Sequence, residues 1–314
     1  MRDALCAGLV ALAAADPAFV FLTGDLGYKA LEPLREALGE RFVNAGVAEQ
    51  NMVSVAAGLA RTGLRPWAYS IAPFLYARPY EQIRNDVCIH DLPVVLAGNG
   101  GGYAYGVMGS THHALEDYGA LLCLPNLRAH VPAFAEDVGP LVRRLAASEH
   151  PAYLRLGRSE TPANWAPPPY APWRRLLRGG GGGAPTVAAA GPLVGGLLSA
   201  LGNAPDASPR PDVWAVCELP VEAGDIPDAF LEDLDASGHL FVVEEHAAQG
   251  GLGQMLAHRL LAAGRAPARF THRHALGYPS GRYGSQAFHR RECGLDAAGL
   301  AAELAAAATS AAGT

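Results

Sequence analysis

The sequence predicts a two-domain α/β protein, and three observations carry that prediction. The chain has 314 residues, and at roughly 100 to 200 residues per domain this is enough to bury two ordinary cores without staples. Helical apolar periodicity alternates with short apolar runs of strand length over residues 1–156 and again over 185–314, which is how a parallel sheet wound with helices reads. Between them, over 157–184, the periodicity stops. Pro167-Pro168-Pro169 and the glycines from Gly179 to Gly183 mark that stretch as an interdomain linker.

In the first domain, residues 3–15 read as helix, 19–22 as strand and 31–38 as helix. Residues 49–61 form a helix with a long Ala/Val/Leu face. A strand at 65–70 and a helix at 74–87 follow, then strands at 93–96, 127–131 and 153–156, with a helix at 134–147 before the last. The second, smaller domain reads as strand 186–190, helix 193–201, strand 213–217, strand 239–244, helix 252–263, strand 269–274 and helix 297–308. No repeat of 20 to 50 residues occurs, which excludes a solenoid. The last six residues, small and polar, are expected to fray.

Composition narrows the function. Half the chain is hydrophobic and 17% is charged, so most of it should be ordered. A net charge of −6 leaves no basic field for a polyanionic backbone, so nucleic acid is not an expected partner. No uncharged apolar run reaches membrane-spanning length, and the opening Met1-Arg2-Asp3 is unlike a signal peptide; a cytoplasmic location without membrane contact is expected. The cysteines, 6, 88, 123, 217 and 293, are odd in number and lack a C-x-x-C pair, which reads as reduced thiols. His272-x-His274 would share one face of a strand, but a third ligand is missing nearby, so no metal site is expected here.

Two segments could carry chemistry. The first is Asn44-Ala45-Gly46-Val47-Ala48-Glu49-Gln50-Asn51-Met52, a strand end turning into a helix. Glu49 there either caps the positive end of the helix dipole or, enclosed by Val47, Met52, Val53 and Ala56, is desolvated and able to share a proton with a heterocycle nitrogen. The second is Gly250-Gly251-Leu252-Gly253 after a strand. It lacks the acidic residue and full spacing of a dinucleotide loop. The run from Gly179 is in the wrong context for a phosphate loop, which needs a strand before it and a helix after it.

The strings Gly46-Val47-Ala48-Glu49-Gln50-Asn51-Met52, Ala56-Ala57-Gly58-Leu59-Ala60 and Tyr80-Glu81-Gln82-Ile83-Arg84-Asn85-Asp86, with Thr23-Gly24-Asp25-Leu26 upstream and Thr111-His112-His113-Ala114-Leu115-Glu116-Asp117 downstream, strongly resemble the pyrimidine-binding domain of transketolases. Val242-Val243-Glu244-Glu245-His246 leading into the glycine turn is similar to the C-terminal domain of the same family, in which that turn is structural. The resemblance covers nearly the whole chain. It implies a pyrimidine-binding domain over 1–156, a linker over 157–184 and a transketolase C-terminal-like domain over 185–314.

The resemblance also implies thiamine diphosphate as cofactor. Glu49 matches the glutamate that hydrogen-bonds the pyrimidine N1′ atom and promotes the imino tautomer that deprotonates the thiazolium. Phe74 matches the aromatic residue stacked on the aminopyrimidine, with Tyr76 and Tyr80 as alternatives. Asp25 and Leu26 match the segment that approaches the thiazolium. His112, with His113 beside it, matches the histidine that bonds the substrate hydroxyls and carbonyl. Arg2, Lys29 and Arg158 fall near positions facing the sugar phosphate, although the same residue types commonly serve as surface cations.

Departures from the family pattern shape the expected function. Where most transketolases have Gly-Glu-Asp-Gly-Pro-Thr-His, this chain reads Gly106-Val107-Met108-Gly109-Ser110-Thr111-His112, so Met108 stands where an acid discriminates the substrate hydroxyl. The family histidine upstream is replaced within Asn99-Gly100-Gly101-Gly102. An altered acceptor, in specialised sugar or secondary metabolism, is implied. The sequence contains no Gly-Asp-Gly triplet, the segment with which the family holds Mg²⁺ and the diphosphate. The expectation is therefore half of a split transketolase: Mg²⁺ is held by a separate N-terminal diphosphate-binding subunit, and a heterotetramer self-associates through its pyrimidine domains. The rival readings are a pyruvate-using 2-oxo acid dehydrogenase beta subunit or deoxyxylulose-phosphate-synthase-like enzyme, and a non-catalytic scaffold.

Overall fold

The computed structural model describes residues 1–27, 29–179, 183–203 and 210–311 and falls into two compact units. The first comprises Met1–Ala104, Ser110–His130 and Ala135–Arg158; the second comprises Tyr105–Gly109, Val131–Phe134 and Ser159–Thr314. Each is an α/β unit built on its own sheet.

In the first unit the strands are β1 (Phe19–Thr23), β2 (Phe42–Asn44), β3 (Arg65–Ile71), β4 (Val95–Asn99), β5 (Arg128–His130) and β6 (Ala152–Leu156). They lie in the order β5-β6-β4-β3-β1-β2, and each neighbouring pair is parallel. All five residues of β1 are buried, as a strand covered on both faces requires. Phe21 of β1 lies between Phe42 and Tyr69, with ring centroids at 5.4 and 5.9 Å. The helices are α1 (Arg2–Ala15), α2 (Glu32–Leu38), α3 (Glu49–Arg61), α4 (Ala72–Ala77), α5 (Tyr80–Gln82), α6 (Asp117–Leu121) and α7 (Val138–Ala146).

The helix expected over 74–87 is broken into pieces. Pro79 follows α4 and has no N–H to continue the ladder; α5 then runs into a π-helical turn at Ile83–Cys88. Irregular helix of this kind is frequent beside functional sites.

In the second unit the strands are β7 (Trp173–Leu177), β8 (Thr186–Ala190), β9 (Asp212–Val216), the two-residue β10 (Glu218–Leu219), β11 (His239–Glu244) and β12 (Arg269–Arg273). A five-stranded sheet has the order β12-β11-β8-β9-β7, parallel except for β7 against β9. The helices are α8 (Leu193–Gly202), α9 (Asp228–Ser237), α10 (Leu252–Ala262), α11 (Gln286–Glu292) and α12 (Ala297–Ala311). Residues 312–314, half of the tail expected to fray, lie outside the described residues.

β7 lies within the segment 157–184 expected as the linker. Its Arg174-Arg175 pair hides the strand in sequence, but Arg175 reaches Asp233, with Nη2 2.5 Å from Oδ2, and lies over the Trp214 ring. Arg174 donates to the Pro168 carbonyl at 2.9 Å, tying the proline run to the strand. Of the glycine run, Gly179 donates to Asp212 Oδ1 at 2.9 Å, while Gly180, Gly181 and Gly182 lie outside the described residues. Two helices of this unit also escaped the periodicity. α9 buries only Phe230 and Leu234, and α11 only His289, stripes too thin to stand out in a polar sequence.

The turn Gly250–Gly253 does bind an anion at a helix N-terminus, but the anion is the protein's own. Glu244, fully buried at the end of β11, accepts from Leu252 N at 2.8 Å and from Gly253 N at 2.9 Å. His272 Nε2 completes the set, 2.7 Å from Glu244 Oε1. A Cβ on Gly251 would lie 2.5 Å from Glu244 Oε1, and one on Gly253 2.5 Å from the His272 ring, so only glycine permits the approach. His272 and His274 do share a face, with ring centroids 4.7 Å apart. Among the described residues no group of three or more His, Cys, Asp or Glu is placed to hold a metal ion. All five cysteines are free thiols, and no described helix is long and apolar enough to cross a membrane.

Candidate active site

One cluster of polar side chains in the first unit lies at the carboxyl ends of β1, β2 and β3, where ligands bind in open parallel sheets. β2 ends at Asn44, and five residues later α3 begins with Glu49. Asn44 shapes that connection: its Oδ1 accepts from Gly46 N at 2.9 Å and its Nδ2 donates to Asp25 Oδ1 at 3.2 Å, drawing the ends of β1 and β2 together. Glu49 is 4% exposed. The Ser70 hydroxyl, from the end of β3, donates to Oε1 at 3.2 Å, and Arg78 Nη1 donates to Oε2 at 2.8 Å. Gly24 lies alongside, where a Cβ would sit 3.8 Å from Glu49 Oε1.

Phe74, on α4 directly after β3, presents a flat ring at this site. The Arg78 guanidinium carbon lies 3.9 Å from its centroid, and His112 stands edge-on to it at 5.1 Å. The structure thus brings Glu49, Phe74 and His112 into one constellation joined through Arg78. An open hollow of about 590 Å³, lined by Val47, Ala48, Glu49, Gln50, Asn51 and Arg78, adjoins it.

The other residues singled out in sequence are placed differently. Asp25 is exposed and Leu26 partly exposed, both on the segment leaving β1. Tyr76 is buried, and burial, followed by the nearby Glu116 and Asp117 carboxylates, raises its hydroxyl well above the ordinary tyrosine range. Tyr80 donates to the Ala120 carbonyl at 3.1 Å. Phe74 is the ring joined to Glu49 through Arg78. His113 is buried, edge-on to Tyr103 at 5.3 Å. Gly100 donates to the Leu156 carbonyl at 3.0 Å. Arg2 lies 3.7 Å from Asp3 at the surface; Lys29 and Arg158 are also exposed. Met108 belongs to the second unit, 54% exposed at the end of a short 3₁₀ turn, Gly106–Met108. A Cβ on the neighbouring Gly109 would lie 3.1 Å from the Tyr283 ring.

Arg78 and Ser70 were not anticipated. The spacing signal for Arg78 was available, because it follows Phe74 by four residues and therefore returns to the same helix face.

Residues 1–164 match the family described as transketolase, pyrimidine binding domain. The chain belongs to the transketolase family. This transketolase-family chain is 34% identical over 313 residues to 1-deoxy-D-xylulose-5-phosphate synthase of Myxococcus xanthus (strain DK1622), an overlap of 95% of this chain and 50% of the relative. It therefore spans half the length of that relative. It is 30% identical over 258 residues to a subunit of the apulose-4-phosphate transketolase of Phocaeicola vulgatus (strain ATCC 8482), with 80% of each chain covered. Among solved structures, a split-gene transketolase in the form of an inactive beta4 tetramer superposes with a TM-score of 0.79 at 30% identity, over 99% of this chain and 97% of that one. Transketolase from Leishmania mexicana shares the fold at a TM-score of 0.76 and 18% identity, over 98% of this chain and 45% of that one.

Proposed function

We propose that this transketolase-family chain is the pyrimidine-binding subunit of a two-component, thiamine diphosphate-dependent enzyme that moves a two-carbon ketol unit from a ketose to an aldehyde. The observation that carries this reading is Glu49, a buried carboxylate at the first turn of α3, joined through Arg78 to the flat ring of Phe74. A carboxylate next to an aromatic face suits an aminopyrimidine, which needs one polar partner at its edge and one flat partner on its face. The 80% mutual coverage with a relative named as one subunit of a transketolase supports a separate partner chain.

In this reading residues 1–156 form the pyrimidine-binding domain and 185–314 the C-terminal-like domain. Glu49 holds the proton at the pyrimidine N1′ atom, and Phe74 fixes the plane of that ring. Asp25 and Leu26 line its approach. His112 hydrogen-bonds the donor hydroxyls, and Met108 bears on the choice of acceptor. Thiamine diphosphate, when bound, supplies the electron sink for cleavage of the ketose C–C bond. The partner chain holds Mg²⁺ and the diphosphate, and copies of this chain meet through α3 in a cytoplasmic heterotetramer.

The test is reconstitution with a diphosphate-binding partner. The mixture should transfer a ketol unit between sugars, and the isolated chain should show no turnover. Glu49→Gln keeps the size of the side chain but cannot share the proton, so deuterium exchange at the thiazolium C2 position should slow by roughly 100- to 10,000-fold. Exchange at the wild-type rate would reduce Glu49 to a helix cap. Consumption of pyruvate with carbon dioxide release would replace ketol transfer by synthase-like chemistry, the reading favoured by the Myxococcus relative.

A further inference from the structure

Arg78 makes the two contacts on which the cofactor reading depends. Its guanidinium is a flat, hydrogen-bonding group; its carbon lies over the Phe74 ring, 3.9 Å from the centroid, and it donates to Glu49 Oε2 at 2.8 Å. An aminopyrimidine is likewise flat and edge-polar, and it would need that same aromatic face and that same carboxylate. The two groups therefore compete for one place. We propose that Arg78 is a resident plug of the pyrimidine seat, holding Glu49 and Phe74 in position in the free chain and leaving when the cofactor enters.

The local chemistry supports an exchange. A carboxylate as buried as Glu49 is costly without a partner, and the planar guanidinium supplies both charge and a stacking face. The Arg78 side chain is 43% exposed, against 4% for Glu49, so it can swing into solvent without opening the core. The two Glu49 oxygens are also divided. Ser70 holds Oε1 and Arg78 holds Oε2, so departure of Arg78 frees Oε2 while Ser70 keeps the carboxylate oriented. The position of Arg78 suits the task, since it lies at the C-cap of α4, one helical turn after Phe74.

The inference rests on the proposed cofactor, and its test separates the two. Thiamine diphosphate with Mg²⁺ is titrated calorimetrically into the complete chain mixed with its diphosphate-binding partner, for wild type, Arg78→Met and Arg78→Lys. Loss of a half-exposed ion pair and a cation–π contact that the cofactor would otherwise have to break should tighten binding on the order of tenfold in Arg78→Met. Arg78→Lys, which keeps charge but not planarity, should fall between. In a Glu49→Gln background the gain should shrink, because the plug has lost its charged anchor. Weaker binding by folded Arg78→Met would overturn the plug and make Arg78 a cofactor-holding residue; unchanged binding would also overturn it. If Arg78→Met does not fold, Arg78→Gln is read by the same criteria. Failure of wild type and every variant to bind would reject the cofactor reading, and the plug with it.

Discussion

Asp117 and Arg155 form an enclosed ion pair, with Arg155 Nε donating to Asp117 Oδ2 at 2.8 Å and the side chains of Arg155 and Asp117 4% and 0% exposed. The same oxygen accepts from the Tyr153 hydroxyl at 2.7 Å, while Arg155 Nη2 donates to the Ala114 carbonyl at 2.7 Å. Burial, and then the Asp117 carboxylate, hold the Tyr153 hydroxyl well above the usual tyrosine range, so it remains a donor. This network explains two glycines near the site. A Cβ on Gly98 would lie 2.6 Å from the Tyr153 hydroxyl oxygen, and one on Gly101 2.6 Å from Arg155 Nε. The glycines in and just after β4 thus make room for the buried tyrosine and cation, and the bond to Ala114 ties down the chain just beyond His112.

Breaking that pair from one side should be costly. Asp117→Asn leaves the Arg155 charge buried without its counterion, and a loss of roughly 3 to 5 kcal/mol is expected. Urea unfolding measures it directly. A loss below about 1 kcal/mol, the range of exposed pairs, would mean that water compensates Arg155.

His112 should matter for substrate rather than for cofactor. With a charge-assisted hydrogen bond worth about 1.5 to 3 kcal/mol, His112→Ala should lower turnover with any ketose donor roughly 10- to 150-fold. Cofactor affinity and C2 exchange should be nearly unchanged. Because His112 stands edge-on to Phe74, a fall in cofactor affinity instead would identify it as a buttress of the aromatic seat. Met108→Asp should leave donor turnover alone and shift the acceptor preference toward ordinary hydroxylated sugars; an unchanged acceptor profile would remove Met108 from the substrate site.

Acid sensitivity should trace in part to His130. Burial on β5, followed by the charges of Arg144 and Arg128, pushes its imidazole down from the ordinary 6.5 to about 3. Between these values the unfolded chain takes up a proton that the folded chain refuses, so stability falls as the pH drops from 6.5 towards about 3. Above 6.5 the group contributes no pH dependence. The slope approaches a factor of about ten in the folding constant per pH unit. His130→Gln should flatten the difference between unfolding curves taken at pH 7 and pH 5; equal slopes in variant and wild type would show that His130 titrates normally.

The parallel-sheet architecture was legible because its signals are local. β11 and α3 appear over the residues their periodicity marks, and β1 within one residue. Glu49 was legible for a related reason, being an acid at the start of an otherwise apolar helix. The role of Arg78 was not. Its partner lies 29 residues away, and the two meet only because α3 and α4 both start at the carboxyl ends of neighbouring parts of one sheet. β7 was hidden because an edge strand is defined by its pairing, here with β9, and not by an apolar run. The turn at Gly250–Gly253 shows the division within one motif. Its glycines announce a close approach in sequence, but what approaches, Glu244 from β11 and His272 from β12, is decided by strand pairing in the folded sheet. Backbone preference and hydrophobic period act within a few residues, so sequence determines them alone; the partner of a buried charge is chosen by packing across the fold, and only the tertiary structure decides it.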